Sequence, residues 1–128
     1  MVSPGRILIV VGSEKERTAL QGALQRDGFE VVAVVDQTQA QQQLLESQFD
    51  LVVTEAGTTA TGPELIKRVR ATPRLAGILI LVIAEWGMGA ATLALSQGAN
   101  GYEPKPFDAN RILASVKRLL SFQKVNTE

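Results

Sequence analysis

The stretch "LVVTEAG", residues 51–57, is an apolar, β-branched run that stops at one carboxylate, Glu55, and then meets a glycine. An unbroken apolar run is typical of a strand that is buried on both faces, as in a parallel sheet covered by helices. With residues 50–54 as the third strand, four further runs predict the others: "RILIVV" (6–11), "EVVAVV" (30–35), "ILILVIA" (78–84) and the weaker "GYEP" (101–104).

Segments with helical spacing separate these five strands. Their apolar residues recur three and four positions apart, as on the buried face of a helix. The four stripes are Leu20, Ala23 and Leu24; Ala40, Leu44 and Leu45; Leu65, Ile66 and Val69; and Ile112, Leu113, Val116, Leu119 and Leu120. The uncharged segment 87–98 is predicted as the fourth helix. Alternating strands and helices predict an α/β fold, in which helices cover both faces of a doubly wound, five-stranded parallel sheet.

Local signals mark where the predicted helices begin and end. Short polar side chains cap the first N–H groups of a helix, and glycine commonly ends one. The signals are capping boxes at Ser13 with Glu16 and at Thr61 with Glu64, N-caps at Asp36 and Asp108, and helix-ending glycines at Gly28 and Gly98. We expect one domain over residues 6–122, with tails at 1–5 and 123–128.

Composition excludes several classes of function. Lysine plus arginine and aspartate plus glutamate number 13 each, so no overall positive field draws the chain to nucleic acid or anionic lipid. The absence of cysteine and histidine removes thiol nucleophiles, Ser-His-Asp chemistry and the commonest metal ligand. The longest apolar run is too short to cross a bilayer. We therefore expect a cytoplasmic protein that is not an enzyme and has no catalytic residue.

A ligand site in such a sheet lies beyond the carboxyl ends of the strands, near the point where the strand order reverses. The residues that fall there are Val11 to Ser13, Glu55 to Thr59, Ala84 to Trp86, and Lys105. These positions are the candidates for any functional site.

At these positions the sequence resembles the receiver domain of bacterial two-component response regulators. The resemblance rests on "RILIV", "FDLVV", "RATPRL" and "GANGYEPKPF" and covers residues 6–121, with "KPF" after the fifth strand as its most specific part. It implies a CheY-like, flavodoxin-like (βα)5 fold with strand order 2-1-3-4-5. It also implies a role in two-component signal transduction through a phosphorelay.

The residues that carry the family's chemistry are only partly kept. Lys105 matches the phosphate-binding lysine, in a Lys-Pro step that resembles the family's cis peptide, and Tyr102 matches the switch aromatic. The replaced positions are the acidic pair, here Val11 and Gly12; the phosphoacceptor aspartate, here Glu55; and the switch hydroxyl, here Ala84. The carbonyl that would also touch the metal belongs to Gly57.

These replacements bear directly on metal binding. Magnesium usually takes one or two carboxylates from the protein, and Val11 and Gly12 supply none. Because phosphoryl transfer depends on charge stabilisation, we expect Mg²⁺ binding to be lost or very weak, no cofactor, and no phosphorylation. The sequence indicates a degenerate pseudo-receiver that works by protein–protein interaction. A residual phosphoaccepting receiver is the alternative.

Several side chains allow two interpretations. Glu55 is either a built-in mimic of the phosphorylated state or one half of an ordinary ion pair with Lys105. Tyr102 is expected in one buried rotamer, because Ala84 leaves room beneath the ring. Trp86 either covers the vacant pocket and anchors a partner or packs locally.

The surface of helix 4, strand 5 and helix 5 is the usual partner and dimer surface of the resembled family. Trp86, Tyr102, Lys105 and Arg111 are the candidate interface residues, in a homodimer or with another protein. A loosely packed helix 4 is the alternative. The basic cluster Lys67, Arg68, Arg70 and Arg74 is predicted to be a solvated helix face rather than a nucleic-acid site.

A different class of function is suggested by "TTATG", residues 58–62, which resembles the phosphate loop of flavodoxins. The motif follows strand 3 rather than strand 1, and no flanking aromatic pair is evident to hold a flavin. Flavin or nucleotide binding is therefore the less favoured reading.

Overall fold

The computed structural model describes residues 4–56, 61–85 and 89–126. The strands are β1 (Arg6–Val10), β2 (Glu30–Val34), β3 (Leu51–Ala56), β4 (Leu79–Glu85) and β5 (Gly101–Lys105). The helices are α1 (Glu14–Arg26), α2 (Gln37–Glu46), α3 (Thr61–Ala71), α4 (Ala90–Ser96) and α5 (Ala109–Asn126). All neighbouring strands are parallel, in the order β2-β1-β3-β4-β5. The predicted fold class and strand order are confirmed.

Two apolar cores, one on each face of the sheet, explain why the strands are apolar throughout. In β1, Leu8 and Val10 face the core under α2, α3 and α4, while Ile7 and Ile9 face the core under α1 and α5. The other strands alternate in the same way, since successive side chains point to opposite faces. Each face of the sheet therefore stabilises the fold by removing apolar surface from water.

Most predicted helix ends are confirmed. Ser13 Oγ accepts the Glu16 N–H, Asp36 Oδ1 accepts the Gln39 N–H, and Asp108 Oδ1 accepts the Asn110 N–H, at 3.3, 3.0 and 2.9 Å. Two glycines that follow helices adopt a left-handed backbone conformation, Gly28 at φ 99° and Gly98 at φ 115°. The side chains of Thr61 and Glu64 lie outside the described part of the structure.

Two predictions about the helices are wrong. Leu45 was expected on the buried stripe of α2, yet it is 71% exposed, because Ala40 and Leu44 already face the sheet and Leu45 lies one residue further round the helix. Helix α4 begins at Ala90 rather than at 87 and ends at Ser96, with Gly89 as its N-cap in a left-handed conformation. The strand limits agree within two residues, but the predicted tail at 123–128 is wrong in part, because α5 continues to Asn126.

Arg70 corrects the prediction of a solvated basic face on α3. Its guanidinium is half-buried and donates to the main-chain oxygens of Ala76, Ile78 and Gly98, at 2.6 to 2.9 Å, and to Asn100 Oδ1 at 2.8 Å. Burial lowers the pKa of Arg70 from its ordinary value. The side chain ties α3 to the segments that enter β4 and β5, and only Lys67, Arg68 and Arg74 of the cluster are exposed.

None of the helices in the described ranges combines the length and the apolar character that crossing a bilayer requires.

Candidate functional site

The sheet brings those predicted site residues that the structure describes together at the carboxyl ends of its strands. Glu55 lies near the end of β3 beside Ile83 of β4, Val11 and Gly12 follow β1 directly, and Lys105 ends β5. Four chain segments that are distant in sequence therefore meet at this cleft.

Both carboxylate oxygens of Glu55 are engaged within the protein. Oε1 accepts the main-chain N–H of Gly12 at 2.7 Å, and Oε2 pairs with the Lys105 ammonium. The side chains of Glu55 and Lys105 are 21% and 22% exposed, so the pair is partly shielded from solvent. The expected ion pair is present, and its acidic member also holds the main chain just after β1.

Lys105 lies in an acidic environment. Its Nζ is 3.7 Å from Glu16 Oε1, in addition to the contact with Glu55. Burial acts to lower the pKa of Lys105, but the hydrogen bond to Glu55 and the charges of Glu55, Glu16 and Glu85 outweigh it and raise the pKa above its ordinary value. Lys105 is therefore protonated throughout the neutral range.

Arg17 is a member of the site that sequence reasoning missed. From the first turns of α1, its Nη1 donates to the carbonyl oxygens of Val11 and Gly12, at 2.9 and 3.2 Å. No local pattern separates Arg17 from an ordinary surface arginine, because its acceptors are main-chain carbonyls between β1 and α1. The guanidinium sets a positive charge against the carbonyls that follow β1.

These residues do not fit the magnesium ion that the resemblance implies. Val11 is a fully buried aliphatic side chain, Gly12 has no side chain, and both of their carbonyls accept from Arg17. The carboxylate of Glu55 already has two partners. Across the described ranges, no group of three or more His, Cys, Asp or Glu side chains is arranged to hold a metal ion.

Tyr102 and Ala84 lie beside this cleft. Ala84 is buried, and the half-buried ring of Tyr102 packs against the same core on the α2, α3 and α4 face. The Tyr102 hydroxyl donates to the Glu85 carbonyl at 3.3 Å. The prediction of a buried ring is thus met only in part, since the hydroxyl reaches the rim. Trp86, Gly57 and most of the "TTATG" loop lie outside the described residues.

A second polar cluster lies between β5 and α5. Glu103 is 8% exposed and accepts from Ser115 Oγ at 2.6 Å, while Arg111 Nε lies 3.2 Å from its other oxygen. The Arg111 side chain is itself 72% exposed. The two-residue period of β5 was the signal that could have placed Glu103 opposite Tyr102, on the α5 side of the sheet.

The chain matches the model of the response regulator receiver domain over residues 7–117. It is 31% identical to the protein PetR of Rhodobacter capsulatus over 119 residues, which are 92% of this chain and 49% of that protein. It is 30% identical to the alkaline phosphatase synthesis transcriptional regulatory protein PhoP of Bacillus subtilis, covering 90% of this chain and 48% of PhoP. The chain spans about half the length of the curated relatives it matches.

Solved structures agree with this assignment. A putative response regulator from Chloroflexus aurantiacus is 28% identical and superposes with a TM-score of 0.85, covering 93% of this chain and 99% of that one. The chemotaxis response regulator CheY4 of Vibrio cholerae, at 24% identity, shares the fold with a TM-score of 0.83 over 92% and 98% of the two chains. This chain belongs to the response regulator receiver domain family, whose members act in two-component signalling through contacts with other proteins.

Proposed function

We propose that this chain is an atypical, pseudo-receiver domain that does not accept a phosphoryl group and acts through protein–protein contact. The observation that carries the proposal is the Glu55 carboxylate, which spans the cleft from the Gly12 N–H to Lys105. In this proposal the domain is cytoplasmic, has no enzymatic turnover and uses no Mg²⁺ or other cofactor.

Electrostatics supports the loss of phosphoryl transfer. Catalysis of this reaction rests on positioning and on neutralising the charge of the transferred group, which the metal normally does. Here the place of the acidic pair is taken by Val11 and Gly12, whose carbonyls face the cationic Arg17. A divalent cation would meet a positive guanidinium there instead of two carboxylates, and like charges at close range repel.

The surface of α4, β5 and α5 supports a binding role. Leu93 and Leu95 of α4 are 56% and 50% exposed, and Arg111 of α5 is exposed as well. Exposed apolar side chains next to a charged rim are typical of protein interfaces. We propose this surface, with Tyr102 and Lys105 at its edge, for a protein partner or a second copy of the chain.

The cleft can be tested by NMR with Mg²⁺ and beryllofluoride. The wild type should show no saturable shift changes. The matched positive control is the double variant Gly12→Asp with Glu55→Asp, which restores two carboxylates; a Cβ at position 12 would lie 3.6 Å from Glu55 Oε1, an ordinary contact. Saturable wild-type shifts that cluster at Glu55, Ala84 and Lys105 would instead support the alternative, a residual phosphoaccepting receiver.

The pair of Glu55 and Lys105 also fits a built-in mimic of the phosphorylated state, because it sets a negative charge beside Lys105. A mimic predicts that Glu55→Gln changes partner binding or dimer formation. An ordinary ion pair predicts a change in stability alone, which sedimentation and unfolding measurements on the same variant would distinguish.

A further inference from the structure

An apolar groove of about 340 Å³ lies between α2 and α3. Its floor is formed by Leu44, Leu65, Val69 and Leu75, and Leu45 stands on its rim with 71% of its surface exposed. The groove shares no residue with the Glu55 cleft or with the surface of α4, β5 and α5. Among the large apolar side chains whose exposure the structure describes, Leu45 has the largest exposed fraction.

The rim of the groove is positively charged. Arg68 of α3 lines it and reaches Gln41 Oε1 only at 3.4 Å, at the limit of a hydrogen bond. Arg74 follows α3 and does not itself line the groove, but its Nη2 donates at 2.9 Å to the carbonyl of Leu44, which does. The lining residues that the structure describes include no carboxylate, and the nearby Glu46 is turned along α2 toward Gln42.

We infer that this groove docks an acidic amphipathic helix of a partner protein. The volume is near the lower end of the range of ligand pockets, about 300–1,000 Å³, and suits one or two apolar anchors rather than a whole helix. An amphipathic helix offers such anchors one turn apart, which is a common mode of groove recognition. A carboxylate beside the anchors would meet the five N–H donors of Arg68 in a charge-assisted contact.

Charge favours this occupant over a second copy of the chain. In a symmetric dimer through the groove, both protomers would bring the same basic patch, with Arg68, to the interface, and the described lining offers no carboxylate to pair with it. Like charges opposed across an interface oppose association. The inference goes beyond the proposal that the Glu55 cleft does not accept a phosphoryl group, and it does not depend on that proposal.

The test is an NMR titration of the full chain with a synthetic helical peptide. The peptide carries leucines at i, i+4 and i+7 and glutamates on its polar face; a second peptide has lysines in place of the glutamates. The acidic peptide should shift Gln41, Leu45 and Val69. Leu45→Ser and Arg68→Glu should each lower the affinity for the acidic peptide about tenfold or more. Leu93→Ser, at a similarly exposed position on α4, should leave that affinity unchanged.

Three results would overturn the inference. They are equal binding of the lysine peptide, shifts that map to α4 and α5 instead, and unchanged affinity in Leu45→Ser. Sedimentation of the free chain provides the remaining check: self-association that Leu45→Ser abolishes would assign the groove to a second copy. Because Leu45 and Arg68 are exposed, both variants should keep the wild-type urea midpoint. An unchanged midpoint shows that misfolding is not the cause of the lost peptide binding.

Discussion

The carboxylate of Glu55 pairs with the ammonium of Lys105 across the carboxyl edge of the sheet, joining the third strand to the fifth. The other oxygen of the same carboxylate holds the Gly12 N–H at 2.7 Å, so the turn after β1 is tied to this point too. The Glu55 carboxylate is thus held between the Gly12 N–H and the Lys105 ammonium, and Glu16 Oε1 lies 3.7 Å from the same ammonium. The negative charge of Glu55 is paired within the chain.

Changing Glu55 should separate its two contacts. Glu55→Gln keeps an acceptor for the Gly12 N–H but loses the ion pair, so we expect a loss of about 0.5–1 kcal/mol in the free energy of unfolding. Glu55→Ala loses both contacts and should cost about 1–3 kcal/mol. Urea unfolding measures both, with Glu46→Gln as the exposed control. Equal costs for the two variants would mean that the contact with Gly12 contributes nothing.

The contribution of Lys105 should depend on pH in the alkaline range. Its pKa is raised in the folded protein, so the stabilisation is fully present below the unfolded-state pKa of about 10.4 and is lost as the pH rises through the folded-state value. The difference in unfolding free energy between wild type and Lys105→Met should be constant from neutral pH to about pH 10 and then shrink. A difference that grows with pH would contradict this sign.

Arg70 should be the most sensitive basic residue of α3. Arg70→Ala leaves the carbonyls of Ala76, Ile78 and Gly98 without their charged donor, and we expect a loss of about 2–3 kcal/mol in the free energy of unfolding. Lys67→Ala, at an exposed position on the same helix, should change it by no more than about 0.5 kcal/mol. Similar effects of the two substitutions would restore the solvated-face interpretation.

Gly98 and Gly77 allow a matched test of how backbone conformation and free space around a glycine affect stability. Gly98 has a left-handed backbone at φ 115°, and an added Cβ would lie 3.0 Å from Arg70 Cγ, whereas a Cβ at Gly77 would meet nothing within 4 Å. Gly98→Ala should cost about 1–3 kcal/mol in stability, and Gly77→Ala should be neutral or slightly stabilising. Thermal unfolding of both variants measures this. If Arg70→Ala also relieved the whole cost at position 98, the contact rather than the backbone would be the cause.

Local patterns of apolar residues were enough to predict most of the fold. The five apolar runs predicted all five strands to within two residues, because burial on both faces removes polar residues from a parallel strand. Leu45 was misplaced because a helical stripe does not reveal how wide the buried face is, and α2 contacts the sheet only through residues such as Ala40 and Leu44. The start of helix α4 was placed too early, because its N-cap, Gly89, has no side chain that would mark the first turn.

The sequence by itself determined the parallel α/β order, the absence of side-chain oxygens at Val11 and Gly12, and the presence of Glu55 and Lys105 at strand ends that must meet. Only the tertiary structure decided which group each side chain contacts: Glu55 with the Gly12 N–H, Arg17 with the carbonyls beyond β1, Arg70 with the turn at Gly98. The physical reason is range. Apolar periodicity can be read from residues that are neighbours along the chain. These hydrogen bonds and ion pairs form between groups that only the packed sheet brings within about 3 Å.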